Sequence, residues 1–534
     1  MDSLLYELSV NEAEVTTPFV ARTLLTCNDN NNNSYSSTSL TIDASSISNA
    51  QMFSSWKTAI LQVPMVFTIR KTSDTANIGN IDSANIEQLL SFKNGAQHIF
   101  HSMQVSLNNT EIVQQCDFSS IPMTFKAITT QSLNDQEKLG PTLFMYKDSP
   151  QSWTYSGNVG GQGPTVFNND ASTNAGFDKR LDWVNYGVPS NSTANGLDDI
   201  MTDDKYKQMA LPAWDAHTSG ATWRALKVLV QIPLVSLHDY FEQVPIQKGA
   251  YYRFKFVLNQ GTIDFTYDEN ASSGSKFSSP SINVPSGGIC PIMLNEDGDY
   301  SNDVLVDTQS YKVSWGLVRA YDSALTATVA SNVLGAVQLT VPAYLFDASK
   351  YSQYEAIGEE REVSYSDFMR PTIPVLASGA TATTILSTGI NRLRSVLLLP
   401  LYDSTSNGGI ISYQSPYSTS PSTCDPYAHL SQYNVLLSGA QIYQTDFQYA
   451  YQSYQYEVME RGINSWLTRG LTSGLVSQQD WNEIYGYLYT NTERRLSPAY
   501  ESATSVSVRT TNGTKLALNL QSFLEYERKL ILNV

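Results

Sequence analysis

The chain has 534 residues, of which 41% are hydrophobic and only 16% charged, and its net charge is −17. That length exceeds one ordinary core and asks for two domains or three. The acidic balance, without clusters of Lys and Arg, excludes direct nucleic-acid binding as the main role and suits a soluble, self-repelling surface.

What replaces charge is Ser, Thr, Asn, Gln and 32 Tyr, a mixture that fits half-buried pleated surfaces and points to an all-β chain. The amino terminus, "MDSLLYELSVNEAEV", carries acids where a signal peptide carries bases, so no export by signal peptide is expected. No stretch approaches 18 continuous apolar residues, so no membrane insertion is expected either. Cys27, Cys116, Cys290 and Cys424 are scattered and form no C-x-x-C pair or disulfide framework.

In chain order, "AILQVPMV" (Ala59–Val66) reads as a buried central strand that Pro64 closes. "HSMQVSL" places Met103, Val105 and Leu107 on one face of a strand that runs into an amide-rich turn. His98 and His101 fall on the same predicted strand with opposite faces, which keeps them from sharing a metal. Ser132 opens "SLNDQEKLG" with Ser-x-x-Asp, a capping box with Asp in place of Glu, followed by a short helix. About 70 residues of Gly, Asn, Ser and Asp then form a long surface loop around 150–222, an excursion that decorates a surface or clamps a neighbour.

"KVLVQIPLV" (Lys227–Val235) repeats the proline phrase and reads as a late strand of the first unit. "YYRFKFVL" alternates Tyr252, Phe254, Phe256 and Leu258 with Arg253 and Lys255, and "YKVSWGL" does the same with Tyr311, Val313, Trp315 and Leu317. Between them, Ala271–Gly288 has linker composition. "SVLLLPLY" (Ser395–Tyr402) is the third proline phrase. A polar loop, Tyr402–Tyr427, follows it, then the strand "AQIYQTD" with Gln441, a second Ser-x-x-Asp at Ser477 and the strand "KLALNL". The tyrosines of "FQYAYQSYQYEV" are spaced as one face of a helix packed on its own unit. Pro64 and Pro400 lie 336 residues apart, Gln104 and Gln441 337, Ser132 and Ser477 345. Three landmarks in constant order read as a tandem duplication of one antiparallel β-sandwich. The first unit takes residues 1–295 and the second 296–534, with a division as late as about 355 as the alternative.

The search for chemistry assigns no catalytic, cofactor-binding or metal residue. "GNVGGQGP" opens no helix and has no following lysine, so it is not a phosphate loop. Asp297, Asp299, Ser301 and Asp303 have the spacing of a calcium loop, but Asn302 stands where glycine is needed and Thr308 where Glu is needed. "SLHDY" sets His238 beside Asp239 without a nucleophile motif. His217 and His429 stand alone.

The runs "YNVLLSGAQIYQTDFQYAYQSYQYEV", "LTSGLVSQQDWNEIYGYLYTNTERRL" and "LALNLQSFLEYERKLILNV" resemble the major capsid proteins of the polinton-like virus, Maverick/Polinton and virophage group. So do "SFKNGAQHIFHSMQVSLNNTEIV", "FEQVPIQKGAYYRFKFVLNQ", "VSWGLVRAY" and "VPAYLF", so the resemblance touches nearly the whole chain. It implies an all-β double jelly roll, two tandem eight-stranded sandwiches with short helices and long inserted loops. It also implies a structural major capsid protein: a homotrimeric, hexon-like capsomer of pseudo-hexagonal outline that tiles an icosahedral shell, assembled inside the host cell and located in the virion. The partners implied are further copies of the chain, a single jelly-roll penton protein and minor capsid proteins, with no cofactor and no enzymatic activity. The alternative kept beside it is a carbohydrate-binding or adhesin-type β-sandwich protein.

Overall fold

A computed structural model describes residues 19–533, except 32–34, 36–37, 51, 73–88, 150–152, 155–167, 170–173, 182–222, 270–276, 296–304, 306, 318–335, 348–350, 352–359, 407–409, 447, 460–464, 469–473 and 494–499. The strands of the first part of the chain are β1 (Phe19–Asn28), β2 (Ser39–Asp43), β3 (Phe53–Ser54), β4 (Ile60–Lys71), β5 (Leu90–Phe92), β6 (Phe100–Leu107), β7 (Thr110–Val113), β8 (Trp153–Thr154), β9 (Asn168–Asn169), β10 (Trp223–Pro233), β11 (Gln247–Lys248) and β12 (Tyr252–Leu258). They continue with β13 (Gly261–Tyr267), β14 (Phe277–Asn283), β15 (Ile292–Leu294), β16 (Ser310–Leu317) and β17 (Gln338–Phe346). The second part has β18 (Glu360–Met369), β19 (Thr381–Ile390), β20 (Leu393–Tyr402), β21 (Leu430–Leu437), β22 (Ala440–Gln441), β23 (Leu488–Asn491), β24 (Thr504–Asn512) and β25 (Leu518–Asn533). The helices used below are α1 (Ser120–Thr130), α2 (Leu133–Leu143), α3 (Ala175–Leu181), α4 (Tyr451–Met459) and α5 (Gln478–Glu483).

In the second part, one sheet has the order β18-β25-β20-β23 and the other β19-β24-β21-β22. Numbered in chain order, these eight strands read 1-8-3-6 and 2-7-4-5. The first part holds the same pattern in β1-β17-β4-β10 and β2-β12-β6-β7. Two units with one antiparallel Greek-key order make the fold a double jelly roll. Both β16 and β17 belong to the sheet of the first unit, and β18 opens the second. Between the seventh and eighth strands of the first unit, β13, β14 and β16 extend that sheet beside β4.

The central strands follow from their composition. β20 is buried at all ten positions, and β4 is buried from Val63 to Ile69. Pro64 does not close its strand: β4 runs on to Lys71. On one side β4 pairs with β10 throughout, while on the other it pairs with β17 at Ile60–Gln62 and with β16 at Met65–Lys71. Proline, which has no N–H to donate, sits where the ladder passes from one partner to the next. Pro400 likewise lies beyond the stretch of β20 that pairs with β23, Ser395–Leu398.

The predicted alternation of β6 and β12 holds, with Met103, Val105, Leu107, Tyr252, Phe254, Phe256 and Leu258 buried. One landmark of the duplication shifts. Gln104 lies in the fourth strand of its unit and Gln441 in the fifth of its own, so the true counterparts are the hairpins β6–β7 and β21–β22. Both serine caps form as expected: Asp135 N–H donates to Ser132 Oγ and Asp480 N–H to Ser477 Oγ, each at 3.2 Å, with the reciprocal bond at 2.8 Å.

Three expectations change. His98 sits on a 3₁₀ turn, Ala96–Ile99, not on a strand. Ala271–Gly288 holds β14, paired to β13, rather than a linker. The polar stretch Tyr402–Tyr427 is no surface loop: Ser415–Pro426 is buried throughout. The glycine-rich loop, the calcium-like spacing Asp297–Asp303, His217 and most of the 150–222 excursion lie outside the described residues. Apolar side chains from Cys27 to Leu532 form one continuous core that runs through both units.

Candidate functional site at the seam between the units

Among the described residues, four groups of contacts stand out along the seam. At the first, β7 is the edge strand of its sheet, with carbonyls and amides facing away from β6. Tyr365 and Arg528, opposite each other on β18 and β25, donate to the carbonyls of Ile112 (2.5 Å) and Glu111 (3.1 Å). Gln114 N–H donates to Asp367 Oδ2 at 3.2 Å, and Tyr526 Oη donates to Gln114 Oε1 at 2.9 Å. A sheet edge in one unit is thus closed by a sheet face of the other.

At the second contact, the pair "HD" of "SLHDY" lies on a turn where both side chains reach β18. His238 Nε2 stands 3.3 Å from Asp367 Oδ1, and Ser366 N–H donates to Asp239 Oδ2 at 2.7 Å. Burial works to raise the Asp367 carboxyl, but His238 and Arg528 outweigh it and hold it below the usual carboxylate range. Burial pushes Asp239 up, against the bond from Ser366.

The third is the buried Ser/Thr stretch. Lys93 Nζ donates to the Ser420 carbonyl at 2.5 Å, and Ser422 Oγ meets His98 Nε2 at 2.7 Å. Burial lowers Lys93 to about 8 and His98 to about 3, the latter helped by Lys93 and Arg180, so His98 is neutral at physiological pH. Asp425 accepts from Ser412 Oγ, Ser420 Oγ and Tyr402 N–H at 2.5–2.6 Å. These bonds are what let a polar loop lie in the interior.

At the fourth, α1 packs on the second unit. Phe125 contacts the rings of Tyr487 and Tyr489, Thr129 Oγ1 donates to the Leu467 carbonyl at 2.5 Å, and Leu475 N–H donates to the Ile128 carbonyl at 2.8 Å. Gly474 has φ +104, and a Cβ there would stand 2.9 Å from the Thr129 carbonyl, so glycine is required. Asp480, having closed the cap of α5, also takes the Lys147 ammonium at 2.6 Å.

Behind the seam lies Arg394, 2% exposed, with Glu527, Glu493 and Asp239 at 3.5, 3.7 and 3.9 Å and Ser366 Oγ at 2.6 Å. Glu525, fully buried beside it, accepts from Ser366 Oγ, Ser395 Oγ and Trp466 N–H. Burial, with Glu525 and Glu527 nearby, raises Glu493 to about 7 against the pull of Arg394. Its folded value lies above the unfolded 4.5. Its contribution to stability is therefore whole below pH 4.5 and lost as pH rises through 7. Glu493→Gln should flatten urea stability between pH 5 and 8 and exceed the native chain at pH 8.5 by about 2 kcal/mol. Parallel pH profiles for the two proteins would sink this.

Among the described residues, the seam carboxylates named above are bound to donors or to Arg394. A cleft of about 330 Å³ between α1, α2 and the end of β10 is lined by Met123, Ala127, Leu143, Met145 and Ile232. Its ion pair is Lys126–Glu242 at 3.1 Å. Among the described residues, no group of three His, Cys, Asp or Glu is placed to hold a metal. His101 lies 3.5 Å from Asp117, and exposed His429 donates its Nδ1–H to the Tyr427 carbonyl at 2.7 Å. The four cysteines are buried and free. Of the α4 tyrosines, Tyr451 and Tyr454 face their own unit and, with Tyr449 just ahead of the helix, surround Trp481, whereas Tyr456 is 56% exposed.

Sequence reasoning missed the Arg394 group. The available signal was "FLEYERKL" on β25, a strand with charges on both faces. In a sandwich one of those faces is interior, so Glu525 and Glu527 had to be buried with a partner.

No family description and no curated protein matches the chain. Among solved structures, it is similar to a chain of the Sputnik virophage solved by cryo-EM, at 12% identity and TM-score 0.54, covering 97% of this chain and 88% of that one. The mavirus major capsid protein matches at 9% identity and TM-score 0.47, covering 95% and 88%. The Faustovirus major capsid protein matches at 10% and 0.44, covering 97% and 92%. The Sputnik likeness bears out, at the level of fold, the resemblance to the double jelly-roll lineage that includes virophages.

Proposed function

We propose that this chain is a structural major capsid subunit, three copies of which form a pseudo-hexagonal capsomer that tiles an icosahedral shell. The observation that carries this reading is the seam: two jelly rolls of identical strand order are joined by one core and by bonds between the units such as Tyr365 to the Ile112 carbonyl and Lys93 to the Ser420 carbonyl. Each chain therefore presents two equivalent sandwiches as a rigid pair, and three chains present six. The Sputnik likeness over 97% of the chain supports the same role. A single jelly-roll penton protein and minor capsid proteins would complete such a shell, with the virion as its location. We place the division of the chain in the 347–359 link, after β17 and before β18, the later of the two divisions considered from the sequence.

Size-exclusion chromatography with light scattering tests the assembly. Three chains of 59.1 kDa give about 177 kDa, and a permanent interface of this class keeps that mass on dilution. A species of 59.1 kDa across salt and concentration would overturn the trimer.

A further inference from the structure

The pattern inside one chain points to how one chain meets the next. Within the chain, the fifth strand of unit one, β7, is covered by the first and eighth strands of unit two, β18 and β25. In unit two the fifth strand is β22, which ends its sheet with Ala440 and Gln441 exposed. In unit one the first and eighth strands are β1 and β17, and β1 is exposed at seven of its ten positions, with Val20 67% and Leu24 59% exposed. Unit two thus shows an edge whose counterpart is covered, and unit one shows a face whose counterpart is the cover.

The registers agree in detail. β17 sets Thr340 opposite Ile60, and β25 sets Leu524 opposite Val396. Aligning β4 and β20 at Pro64 and Pro400 therefore superposes Pro342 on Tyr526 and Tyr344 on Arg528. Their partners across the ladder, Leu24 and Arg22, then fall on Asp367 and Tyr365. These are the four residues that hold the β7 edge within the chain. Their counterparts in unit one include an exposed leucine and an arginine set 5.8 Å over the Tyr344 ring.

We infer that the β22 edge of each copy docks on the β1–β17 face of a second copy, through Arg22, Leu24 and Tyr344. The contact pairs unlike surfaces, an edge with a face, so it closes only as a ring. With two units per chain, three copies alternate intrachain and interchain seams around six sandwiches. An exposed ladder edge and an exposed apolar strand are each liabilities that this contact removes together. The inference rests on the trimer proposed above and adds which surfaces make it.

Two variants test it beside the native chain. Leu24→Asp, at a position 59% exposed, should keep the native far-UV circular dichroism spectrum and raise the concentration for half-assembly by about 100-fold, the size of a hot-spot loss. In the double variant Leu24→Cys with Ala440→Cys, a short bis-maleimide should join three chains into one covalent species, while either single variant stays as single chains on a denaturing gel. The native cysteines are buried and do not compete. A native trimer that stays trimeric as Leu24→Asp and yields no three-chain product overturns the docking and leaves the trimer standing. A native monomer overturns the trimer itself.

Discussion

Replacing Arg394 by alanine should cost about 3–5 kcal/mol at pH 8, enough to remove much of the stability of a typical domain. The side chain is 2% exposed and is the cation set among Asp239, Glu493, Glu525 and Glu527. Its removal leaves Asp239 and Glu525 buried and Glu493 and Glu527 half-buried without their cation, and each must either stay charged with less compensation or take up a proton. His238 and Lys126 on the first unit also face Asp239, and Tyr500 faces Arg394, but none occupies the guanidinium position.

The pH dependence separates this account from simple loss of packing. Without Arg394, Glu493 loses the neighbouring charge that pulls it down and titrates higher still above its unfolded value. Stability is then present at low pH and lost as pH rises, a steeper form of what Glu493 already does. The loss should shrink to about 1–2 kcal/mol at pH 5, where what remains is the cavity left by the side chain. Urea midpoints at pH 5 and pH 8 decide the matter. An equal loss at both would mean that the charges are silent and that only volume was removed.

The fold was legible in the sequence where periodicity and chemistry agreed. β6, β12 and the two serine caps could be read residue by residue, because period two and the Ser-x-x-Asp spacing are local rules. The duplication was legible too, but from landmarks that were only partly right: Gln104 and Gln441 belong to successive strands of the hairpin. Amides are common at such turns, and a one-strand slip changes the spacing little.

The seam was hidden, for a different reason. Ser415–Pro426 has the composition of an exposed loop, and its burial depends on partners far away in sequence, such as Lys93 and His98. Hydroxyl groups satisfied by backbone and by Asp425 leave no apolar signature to read. "SLHDY" carries no nucleophile motif, and its sequence gives no sign of the structural role it plays. His238 and Asp239 do act together, as a clamp on Ser366 and Asp367, and that role depends on a strand more than a hundred residues away.

The same reasoning applies to the 150–222 excursion, whose helix α3 is anchored by a pair no local pattern reveals. Arg180 and Asp148 are both fully buried and in direct contact, and Arg180 Nη1 also donates to the Tyr146 carbonyl at 2.6 Å. Asn174 donates to the same carboxylate at 3.0 Å, and Asp148 N–H donates to Tyr485 Oη of the second unit at 2.9 Å. Ser91 on β5 donates to the Arg180 carbonyl at 2.6 Å. The pair therefore ties the excursion to the first sandwich and, one bond further, to the second. Arg180→Ala should cost about 3–5 kcal/mol, since it strands a buried carboxylate. Asp148→Ala should cost a similar amount by stranding the guanidinium. Because each single change leaves a partner uncompensated, the double variant should lose less than the sum of the two, by at least about 1.5 kcal/mol. Additive losses in a urea double-mutant cycle would mean that Tyr146 and Asn174 hold the two side chains independently. The excursion would then be anchored by the Ser91 bond and by Phe177 and Leu181 against Met293, with the ion pair filling space rather than holding the fold.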